Sequence, residues 1–275
     1  MSSNTDKAGQ DYWQQVWQDR EIPDAHDPLR NDLNAHMFQR LHRFLTGHLF
    51  APDQADLNHQ SPGRLIEAGC GASRWLPYFH HSFNFEVAGV DYSAEGCAQA
   101  QGIAAKSGVE ADIREADLFS QPEDLKGQFD VVFSIGLVEH FDDTADVISH
   151  LASMLKPGGR LITLVPNMYG LTGWLQRQLD LEVYNLHVAL SPQQLADAHV
   201  RCGLEINTTA YLGTLNLGVV NVDRRQDRWW YSIVVRLNAW ASKGVWILER
   251  MGMPEFANRL TSPFVACAAT VPRRL

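Results

Sequence analysis

The stretch that decides the fold of this chain is Leu65-Ile66-Glu67-Ala68-Gly69-Cys70-Gly71-Ala72-Ser73. Its apolar first half ends in an acidic residue and two alternating glycines, a pattern that predicts a buried strand turning tightly into a helix. Gly69 and Gly71 have no Cβ, so the backbone can adopt strained dihedral angles and a bulky ligand can lie directly on the turn. The stretch therefore predicts a nucleotide-binding turn.

The residues around this turn indicate which kind of nucleotide it binds. A dinucleotide site would need a third glycine three positions after Gly71, but Arg74 stands there. Glu67 would repel a pyrophosphate, whereas it suits a ligand with an ammonium or a sulfonium group. S-adenosylmethionine carries both groups. The acidic-x-Gly-x-Gly pattern resembles the first motif of the class I, Rossmann-like methyltransferases; a glycine-rich turn without a ligand is the alternative interpretation.

Length and composition exclude several other classes of protein. A chain of 275 residues can hold one substantial α/β core with insertions. The net charge of −9 argues against a nucleic-acid binder, because phosphate backbones are bound by clustered lysines and arginines. The polar first residues do not resemble a signal peptide, and no apolar run reaches membrane-spanning length. The cysteines form no zinc spacing and predict reduced thiols in the cytoplasm, at Cys70, Cys97, Cys202 and Cys267.

The second predicted strand, residues 85–90, ends at Asp91 and Tyr92. Asp91 follows Gly69 by about twenty residues, the spacing at which an acidic residue at the next strand end accepts both ribose hydroxyls. A carboxylate offers two acceptor oxygens to a cis-diol. We therefore expect Asp91 to bind the ribose. Capping of the next helix by Asp91 or Ser93 is the alternative.

Two further strand ends should contribute to the same edge of the sheet. The resemblance implies that Asp117 accepts from the adenine amino group while its neighbours pack on the ring. Residues 129–135 form an almost continuous apolar run, as a parallel strand covered on both faces requires. The resemblance implies that residues 136–141, Gly-Leu-Val-Glu-His-Phe, pass the methionine end of the cofactor. The predicted cofactor-binding residues are Glu67, Gly69, Cys70, Gly71, Asp91, Tyr92, Ala116, Asp117, Leu118, Ser134, Ile135 and Gly136.

Two histidines are the candidates for a general base. His140 would stand near the transferred methyl group, and His187 lies in the long connection after the fifth strand. A neutral imidazole can take a proton at physiological pH. Alternatively, Glu139 and His140 only cap and orient their loop. We expect no metal, because no carboxylate or histidine cluster has ligand spacing beyond the residues of the cofactor motifs.

The rest of the chain completes a doubly wound α/β fold. A helix should end at Lys156-Pro157-Gly158-Gly159, with the fifth strand at residues 160–165. Residues 168–190 then form a long connection, and Ser191 opens a helix with a capping box. Strands at 204–212 and 264–271 follow. The resemblance implies a seven-stranded, mainly parallel sheet with the last strand antiparallel.

The N-terminal residues 1–50 are expected to form helices that cover the cofactor and the substrate. The first of these helices places Trp13 and Trp17 on one face, and the second begins near Asp27. The resemblance implies that an upstream basic residue can hold the methionine carboxylate, with Arg30, Arg40 and Arg43 as candidates. Residues 51–212 and 264–275 form the Rossmann-like core. The candidate substrate-binding residues are Trp13, Trp17, Tyr169 and Tyr184.

Residues 213–263 form an aromatic-rich helical insertion before the last strand. We predict that one apolar face packs on the core, while Trp229, Val235 and Trp246 lie on the opposite side and Gly244 interrupts the helix. The insertion is interpreted as a lid over the acceptor, with a dimer contact or a membrane-surface segment as alternatives. The predicted core-facing residues are Trp230, Ile233, Val234, Leu237, Trp240, Ala241, Ile247, Leu248 and Met251.

The sequence therefore predicts a methyltransferase that uses S-adenosylmethionine and a small-molecule acceptor. The methyl group would move to an O, N or S atom of a small, hydrophobic or aromatic molecule by in-line displacement. One alternative is a membrane-surface methyltransferase of a quinone or isoprenoid-type lipid precursor. Another is a protein that binds the cofactor without turnover, because fold does not fix function.

Overall fold

The computed structural model of the chain describes residues 5–18, 21–50 and 63–273. Most of the predicted loop at residues 51–63 lies outside these ranges. The strands are, in chain order, β1 (Arg64–Ala68), β2 (Glu86–Asp91), β3 (Ala111–Glu115), β4 (Phe129–Ile135), β5 (Leu155–Pro166), β6 (Glu205–Leu212) and β7 (Phe264–Thr270).

These strands form one sheet in the order β3-β2-β1-β4-β5-β7-β6. Strands β1 to β5 pair in parallel, and β7 runs antiparallel to both of its neighbours. The carboxyl ends of β1, β2 and β4 therefore meet at one edge, where the order of the strands reverses around β1 and β4. The prediction of a doubly wound, seven-stranded and mainly parallel sheet is confirmed.

Helices cover both faces of this sheet. One apolar layer contains residues of α5 and α8, and the other contains residues of α2 and α3. No helix in the described part of the chain is long and apolar enough to cross a membrane. The helices are α1 (Gln10–Trp17), α2 (His36–His48), α3 (Trp75–Phe83), α4 (Ala94–Lys106), α5 (Thr144–Ser153), α6 (Leu171–Leu179), α7 (Leu181–Asn185), α8 (Pro192–Arg201) and α9 (Tyr231–Arg250).

Two predicted boundaries were wrong. The second helix does not begin near Asp27, because a 3-10 turn at Leu33–Ala35, capped by the side chain of Asp32, leads into α2. Lys156 to Gly159 lie inside β5, and the register between β4 and β5 shifts beside them. Gly158 does adopt a positive φ of 81°, but it does so in this irregularity and not at a helix end. The reason is that α5 already ends at Ser153, before the glycines.

The connection at residues 168–190 is largely helical, since it contains α6 and α7. The capping box of α8 is present as predicted: the Ser191 side chain accepts from the Gln194 N–H, and the Gln194 side chain accepts from the Ser191 N–H. All four cysteines are free thiols.

The predicted inward face of α9 was wrong, although Trp229 and Val235 are exposed as predicted. The helix runs through Gly244 without a break, and its buried residues are Ser242, Trp246 and Glu249. Trp246 donates to the Leu215 carbonyl at 2.8 Å, and Ser242 accepts from the Leu217 N–H at 2.8 Å. Most of the apolar residues predicted to face the core are exposed instead. Polar contacts decide the inward face of this helix, and a count of apolar residues could not reveal them.

Candidate functional site

A cavity of about 570 Å³ opens at the carboxyl ends of the central strands. Most of the predicted cofactor-binding residues line it, together with residues of α1. Cys70 and Ser134 do not, because their side chains are fully buried in the core beside it. The predicted residues that line the cavity are Glu67, Gly69, Gly71, Asp91, Tyr92, Ala116, Asp117, Leu118, Ile135 and Gly136.

The turn after β1 is built around Glu67. The Glu67 carboxylate is buried and accepts a hydrogen bond from the Ser73 hydroxyl. Ser73 Oγ in turn accepts from the N–H groups of Trp75 and Leu76, both at 3.1 Å, at the start of α3. Burial raises the pKa of Glu67 to about 8, and the nearby charge of Asp91 adds to the shift, against the effect of the Ser73 hydrogen bond. Glu67 is therefore protonated at neutral pH in the absence of a cation.

Asp91 connects the first two strand ends. Its carboxylate accepts from the Gly71 N–H at 2.9 Å and from the Ser93 N–H at 2.8 Å. Burial raises its pKa, although these backbone hydrogen bonds oppose the shift. Ser93 does cap α4, since its hydroxyl accepts from the Gly96 N–H at 3.0 Å, while ribose binding by Asp91 stays a prediction. Asp91 thus holds the turn and lines the cavity at the same time.

Asp117 stands at the rim of the cavity. It is exposed, and one carboxylate oxygen accepts from the Phe119 N–H at 2.9 Å, which caps a short 3-10 helix at Leu118–Ser120. Ala116 and Leu118 line the wall beside it. This part of the cavity is polar at the rim and apolar on the face, as a planar heterocycle requires.

The N-terminal segment, residues 5–18, forms part of the outer wall of the cavity. The Lys7 N–H donates to the His140 carbonyl at 2.9 Å, and Gln10 Nε2 donates to the Tyr92 carbonyl at 2.6 Å. Asp6 accepts from the Tyr92 hydroxyl and from Trp13 Nε1. Because α1 has no buried residue, polar contacts and the faces of its aromatic side chains hold it in place.

Trp17 of α1 lies directly on the glycine turn. A Cβ at Gly71 would stand 2.5 Å from Trp17 Nε1, and a Cβ at Gly96 would stand 2.9 Å from its Cδ1. The predicted close approach to Gly71 is therefore made by an indole ring of the same chain. Only a residue without a side chain fits under this ring.

The basic residue at the cavity is Arg74, and the upstream arginines lie elsewhere. Arg74 lines the cavity and donates from Nε to the Asp24 carbonyl at 2.6 Å. In the sequence, Arg74 served only to argue against a dinucleotide site. Its position three residues after Gly71 is the signal that could have placed it at the cavity. Arg40 instead pairs with Glu249 at 2.7 Å, and Arg30 and Arg43 form ion pairs away from the cavity.

A second cavity, of about 230 Å³, adjoins the first one. The two share Trp13, Ile135, Gly136 and His140 as a common wall. Most of the other residues around the second cavity are apolar, and the polar ones come from several elements. The residues that line only this cavity are Tyr12, Glu139, Pro166, Met168, Thr172, Gln176, Val183, Leu186, His187, Val219, Asn221 and Phe264.

The start of the insertion contributes to the second cavity, but α9 does not. Gln176 and Asn221 are joined by two hydrogen bonds of 2.8 Å, which fasten the insertion to α6. Within the described ranges, no residue of α9 lines either cavity. Tyr169 and Tyr184, the other two candidate substrate residues, also lie outside both cavities, where they contact Arg259 and Arg177.

The folded chain brings His140 and His187 together, with ring centroids 4.7 Å apart. His140 Nδ1 lies 3.0 Å from the Leu186 carbonyl, and His187 Nδ1 lies 2.8 Å from the Val183 carbonyl. A carbonyl oxygen can only accept, so each Nδ1 carries the proton and each Nε2 is left as an acceptor. Both imidazoles therefore have the tautomer that a general base needs.

The surroundings keep these groups uncharged. Burial lowers the pKa of His140, and burial together with the nearby His140 lowers the pKa of His187 to about 4. Burial also raises the pKa of Glu139 to about 8. At neutral pH the second cavity thus holds two neutral imidazoles and a protonated carboxyl.

Glu139, His140 and His187 also form a cluster that the sequence did not reveal. One ligand atom from each lies within 4.8 Å of the others, so the described residues do contain a group of metal-ligand type. His187 stands 47 positions from His140 in the chain, and only the packing of α7 against the loop after β4 brings the two side chains together. The expectation of a metal-independent reaction stays a prediction.

Comparisons with known proteins agree with this geometry. A family model described as a methyltransferase domain matches residues 30–209. Tocopherol O-methyltransferase of Arabidopsis thaliana is 25% identical over 174 residues, which cover 61% of this chain and 47% of that protein. Ubiquinone biosynthesis O-methyltransferase of Bradyrhizobium sp. is 31% identical over 118 residues, 43% of this chain and 46% of that protein. This chain spans about half the length of these two curated relatives.

A solved structure shares the fold over nearly the whole chain. Geranyl diphosphate C-methyltransferase from Streptomyces coelicolor, in complex with Mg²⁺, geranyl diphosphate and S-adenosyl-L-homocysteine, matches with a TM-score of 0.57. It is 18% identical, and the match covers 95% of this chain and 97% of that chain. At this identity the likeness shows the fold alone. The family model, however, covers more than half of the sequence. The chain therefore belongs to this methyltransferase family, which has the class I methyltransferase fold.

Proposed function

We propose that this chain transfers the methyl group of S-adenosylmethionine to a hydroxyl oxygen of a small, uncharged and largely apolar molecule. The cofactor would occupy the larger cavity, and the acceptor would occupy the smaller one. The proposal rests on one observation: His140, whose Nε2 is an acceptor, stands in the wall that the two cavities share, and the imidazole of His187, with an acceptor Nε2 as well, lies beside it in the smaller cavity.

The larger cavity suits the parts of the cofactor. Asp91 lies at the end of β2, where its carboxylate can accept from the ribose hydroxyls while it holds the turn. The wall of Ala116 and Leu118 offers an apolar face to the adenine ring, with Asp117 at its edge. Arg74 supplies a positive charge for the carboxylate of the methionine part. Glu67 and Gly136 would face the ammonium and the sulfonium.

The common wall fixes where methyl transfer would occur. In-line displacement needs the acceptor oxygen, the methyl carbon and the sulfur on one line, with the reacting atoms held in near contact. Gly136 and His140 belong to both cavities, so a methyl group at this wall could be reached from the smaller cavity. Gly136 adopts a φ of 71° and has no side chain to block the passage.

His140 would act on the acceptor: its Nε2 would take the proton of the acceptor hydroxyl as the oxygen forms its bond to the methyl carbon. Bound S-adenosylmethionine would supply that methyl group, with its S–C bond breaking to leave the neutral thioether of S-adenosylhomocysteine. His187 lies beside His140 and can orient the acceptor or receive the same proton.

The smaller cavity also restricts the acceptor. A volume of about 230 Å³ is below the usual range of drug-sized pockets, which starts at about 300 Å³, so only a small molecule or one end of a larger molecule fits. With Glu139 protonated and both imidazoles neutral, the cavity gives no charge to pair with an ionic acceptor. An oxygen acceptor also agrees with the two relatives, both of which are O-methyltransferases by name.

The first test is methyl transfer from labelled cofactor to a panel of phenols, with aromatic amines and thiols for comparison. His140→Gln should lower kcat for a phenol by roughly 100-fold or more while the affinity for S-adenosylhomocysteine stays nearly constant, because proton removal contributes about 10²–10⁴-fold. His187→Gln should have a smaller effect. Activity should survive treatment with a chelator.

His81→Gln is the matched control, since His81 is exposed and lies far along the chain on α3. If His140→Gln also abolished binding of S-adenosylhomocysteine, His140 would belong to the cofactor site. If thiols or amines reacted and phenols did not, the proposed oxygen acceptor would be wrong.

A further inference from the structure

Helix α9 carries a stripe of apolar side chains on its outer side. The stripe consists of Ile233, Leu237, Trp240, Ile247 and Met251, which are between 47% and 78% exposed. Their spacing of three, four and seven residues places them on one face of a helix. Soluble proteins rarely expose a continuous apolar surface of this kind without a function.

The inner side of the same helix is fully occupied. The buried Glu249 carboxylate accepts from Arg40 at 2.7 Å and from Thr214, and it contacts His36 Nε2 at 2.6 Å. Ser242 and Trp246 are bonded to the segment before the helix. At 100° per residue, the apolar stripe lies opposite these three anchoring residues. The stripe therefore points away from the protein and cannot turn inward without breaking the anchor.

The charges of α9 are asymmetric. Arg236, Lys243 and Arg250 recur every seven residues, so they form one row beside the apolar stripe. The single acidic residue of the helix is Glu249, which is buried and paired. The outer side of α9 is therefore positive, although the whole chain has a net charge of −9.

Further exposed apolar residues lie in the segments that flank the helix. Trp229 stands just before α9, and Phe256 and Leu260 follow it, all of them well exposed. The Leu260 carbonyl accepts from the Leu171 N–H at 2.6 Å, which joins this segment to the start of α6. Trp174, on α6, is also exposed. The exposed apolar residues thus lead from α9 toward the elements that line the smaller cavity.

We propose that α9 docks along this stripe on the surface of a membrane that contains anionic lipids. A helix with an apolar face and basic residues beside it lies in the plane of the membrane, with its apolar side chains at the level of the headgroups and upper acyl chains. Tryptophan is favoured at that level. The helix of 20 residues is about 30 Å long, so the whole stripe can lie flat.

Charge favours a membrane over a second copy of the chain. A second copy would bring an identical row of Arg236, Lys243 and Arg250, and the outer side of α9 has no acidic side chain to pair with it. Anionic headgroups can pair with Arg236 and Lys243, whereas the Arg250 guanidinium also donates to the carbonyls of Asn31 and Asp32. This inference does not depend on the acceptor proposed above, because membrane binding can be measured without methyl transfer.

The test is binding of the full chain to vesicles of phosphatidylcholine alone and of phosphatidylcholine mixed with phosphatidylglycerol, measured by co-sedimentation. We expect binding to the mixed vesicles that weakens as salt is raised. Leu237→Glu and Trp240→Glu should each weaken it by roughly tenfold or more, because each loses a buried apolar side chain. The double variant Arg236→Ala/Lys243→Ala should weaken it by about 25-fold, at about fivefold for each charge removed.

Val200→Glu is the matched control, because Val200 is an exposed apolar residue on α8 and should leave binding unchanged. Circular dichroism checks that each variant is folded. Absence of binding to the mixed vesicles by the folded wild-type protein would overturn the proposal. So would a concentration-dependent dimer that Leu237→Glu converts to a monomer while vesicle binding is unchanged, because the stripe would then be a contact between copies of the chain.

Discussion

Gly71 and Trp17 form one unit at the residue scale, although they lie on different elements. Gly71 does not have a positive φ, so its backbone would accept alanine. The close approach of Trp17 is what excludes a side chain. The motif in the sequence showed that this position needs glycine, but it could not show that the group lying on it belongs to the same chain.

Gly71→Ala should therefore displace α1 from the turn and weaken binding of S-adenosylhomocysteine, by roughly tenfold or more, since overpacking costs typically about 1–3 kcal/mol. In a protein that already carries Trp17→Ala, the change Gly71→Ala should cost less affinity than it does in the wild type, because the ring that the new Cβ would contact is gone. Calorimetry on the four proteins measures this coupling. Gly47→Ala, where a Cβ would contact nothing within 4 Å, is the control. Strictly additive effects would show that Trp17 is not the cause.

The protonation state of Glu67 is a second feature that belongs to the residue scale. Its pKa of about 8 means that the carboxyl is protonated at pH 6.5 in the unliganded protein. A cation bound beside it favours the ionised form and lowers that pKa, so binding of S-adenosylmethionine should release a proton.

The affinity for S-adenosylmethionine should therefore rise as the pH increases toward 8, because binding releases a proton. Titration calorimetry at pH 6.5 in two buffers of different ionisation enthalpy gives the number of protons released. Glu67→Gln should abolish most of this release, whereas Asp117→Asn at the exposed rim should not change it. Equal enthalpies in the two buffers for the wild-type protein would mean that Glu67 does not face a cation.

At the element scale, α9 shows how a polar anchor can override an apolar pattern. Its apolar residues outnumber its polar ones, so periodicity alone placed the wider apolar face against the core. The decisive contacts join Glu249 to Arg40 and His36, which lie 209 and 213 positions before it in the chain. Such a pairing leaves no local signal. By contrast, the capping box of α8 involves residues three positions apart and could be predicted from the sequence.

Glu249→Gln should loosen α9 and lower the free energy of unfolding by about 3 kcal/mol, because it leaves the partly buried Arg40 without its closest charge partner. Burial raises the pKa of Glu249, but hydrogen bonds from Thr214, Arg40 and His36 outweigh burial and hold it below its ordinary value. The stabilisation by ionised Glu249 is therefore present above about pH 4.3, the pKa of a glutamate in the unfolded chain. It is lost as the pH falls through the lower pKa of Glu249 in the folded protein.

Denaturant unfolding at pH 7 and at pH 3 should show the difference between wild type and Glu249→Gln shrinking at the lower pH. Glu205→Gln, at an exposed position on β6, serves as the control. A difference that is equal at both pH values would mean that the ionised carboxylate does not contribute.

On the scale of the whole molecule, the sheet could be predicted because most of its parallel strands contain apolar runs and three of them carry an acidic residue at or just after the carboxyl end. Glu67 is the last residue but one of β1, Asp91 is the last residue of β2 and Asp117 follows β3, and the topology brings the three to one edge. The acceptor cavity could not be predicted in the same way. Its walls come from α1, the loop after β4, α6, α7 and the start of the insertion, and no spacing in the sequence encodes their meeting.

The N-terminal segment has a consequence for the order of events in catalysis. Trp13 is part of the wall of both cavities, and residues 5–18 border the larger one without a single buried residue. If the ligands occupy the two cavities as proposed, a single detachment of this segment would open the way for both. Exchange of S-adenosylhomocysteine for fresh cofactor and departure of the methylated product would then be one kinetic event, and we expect weaker hydrogen bonds at Lys7, Gln10 and Asp6 to accelerate it.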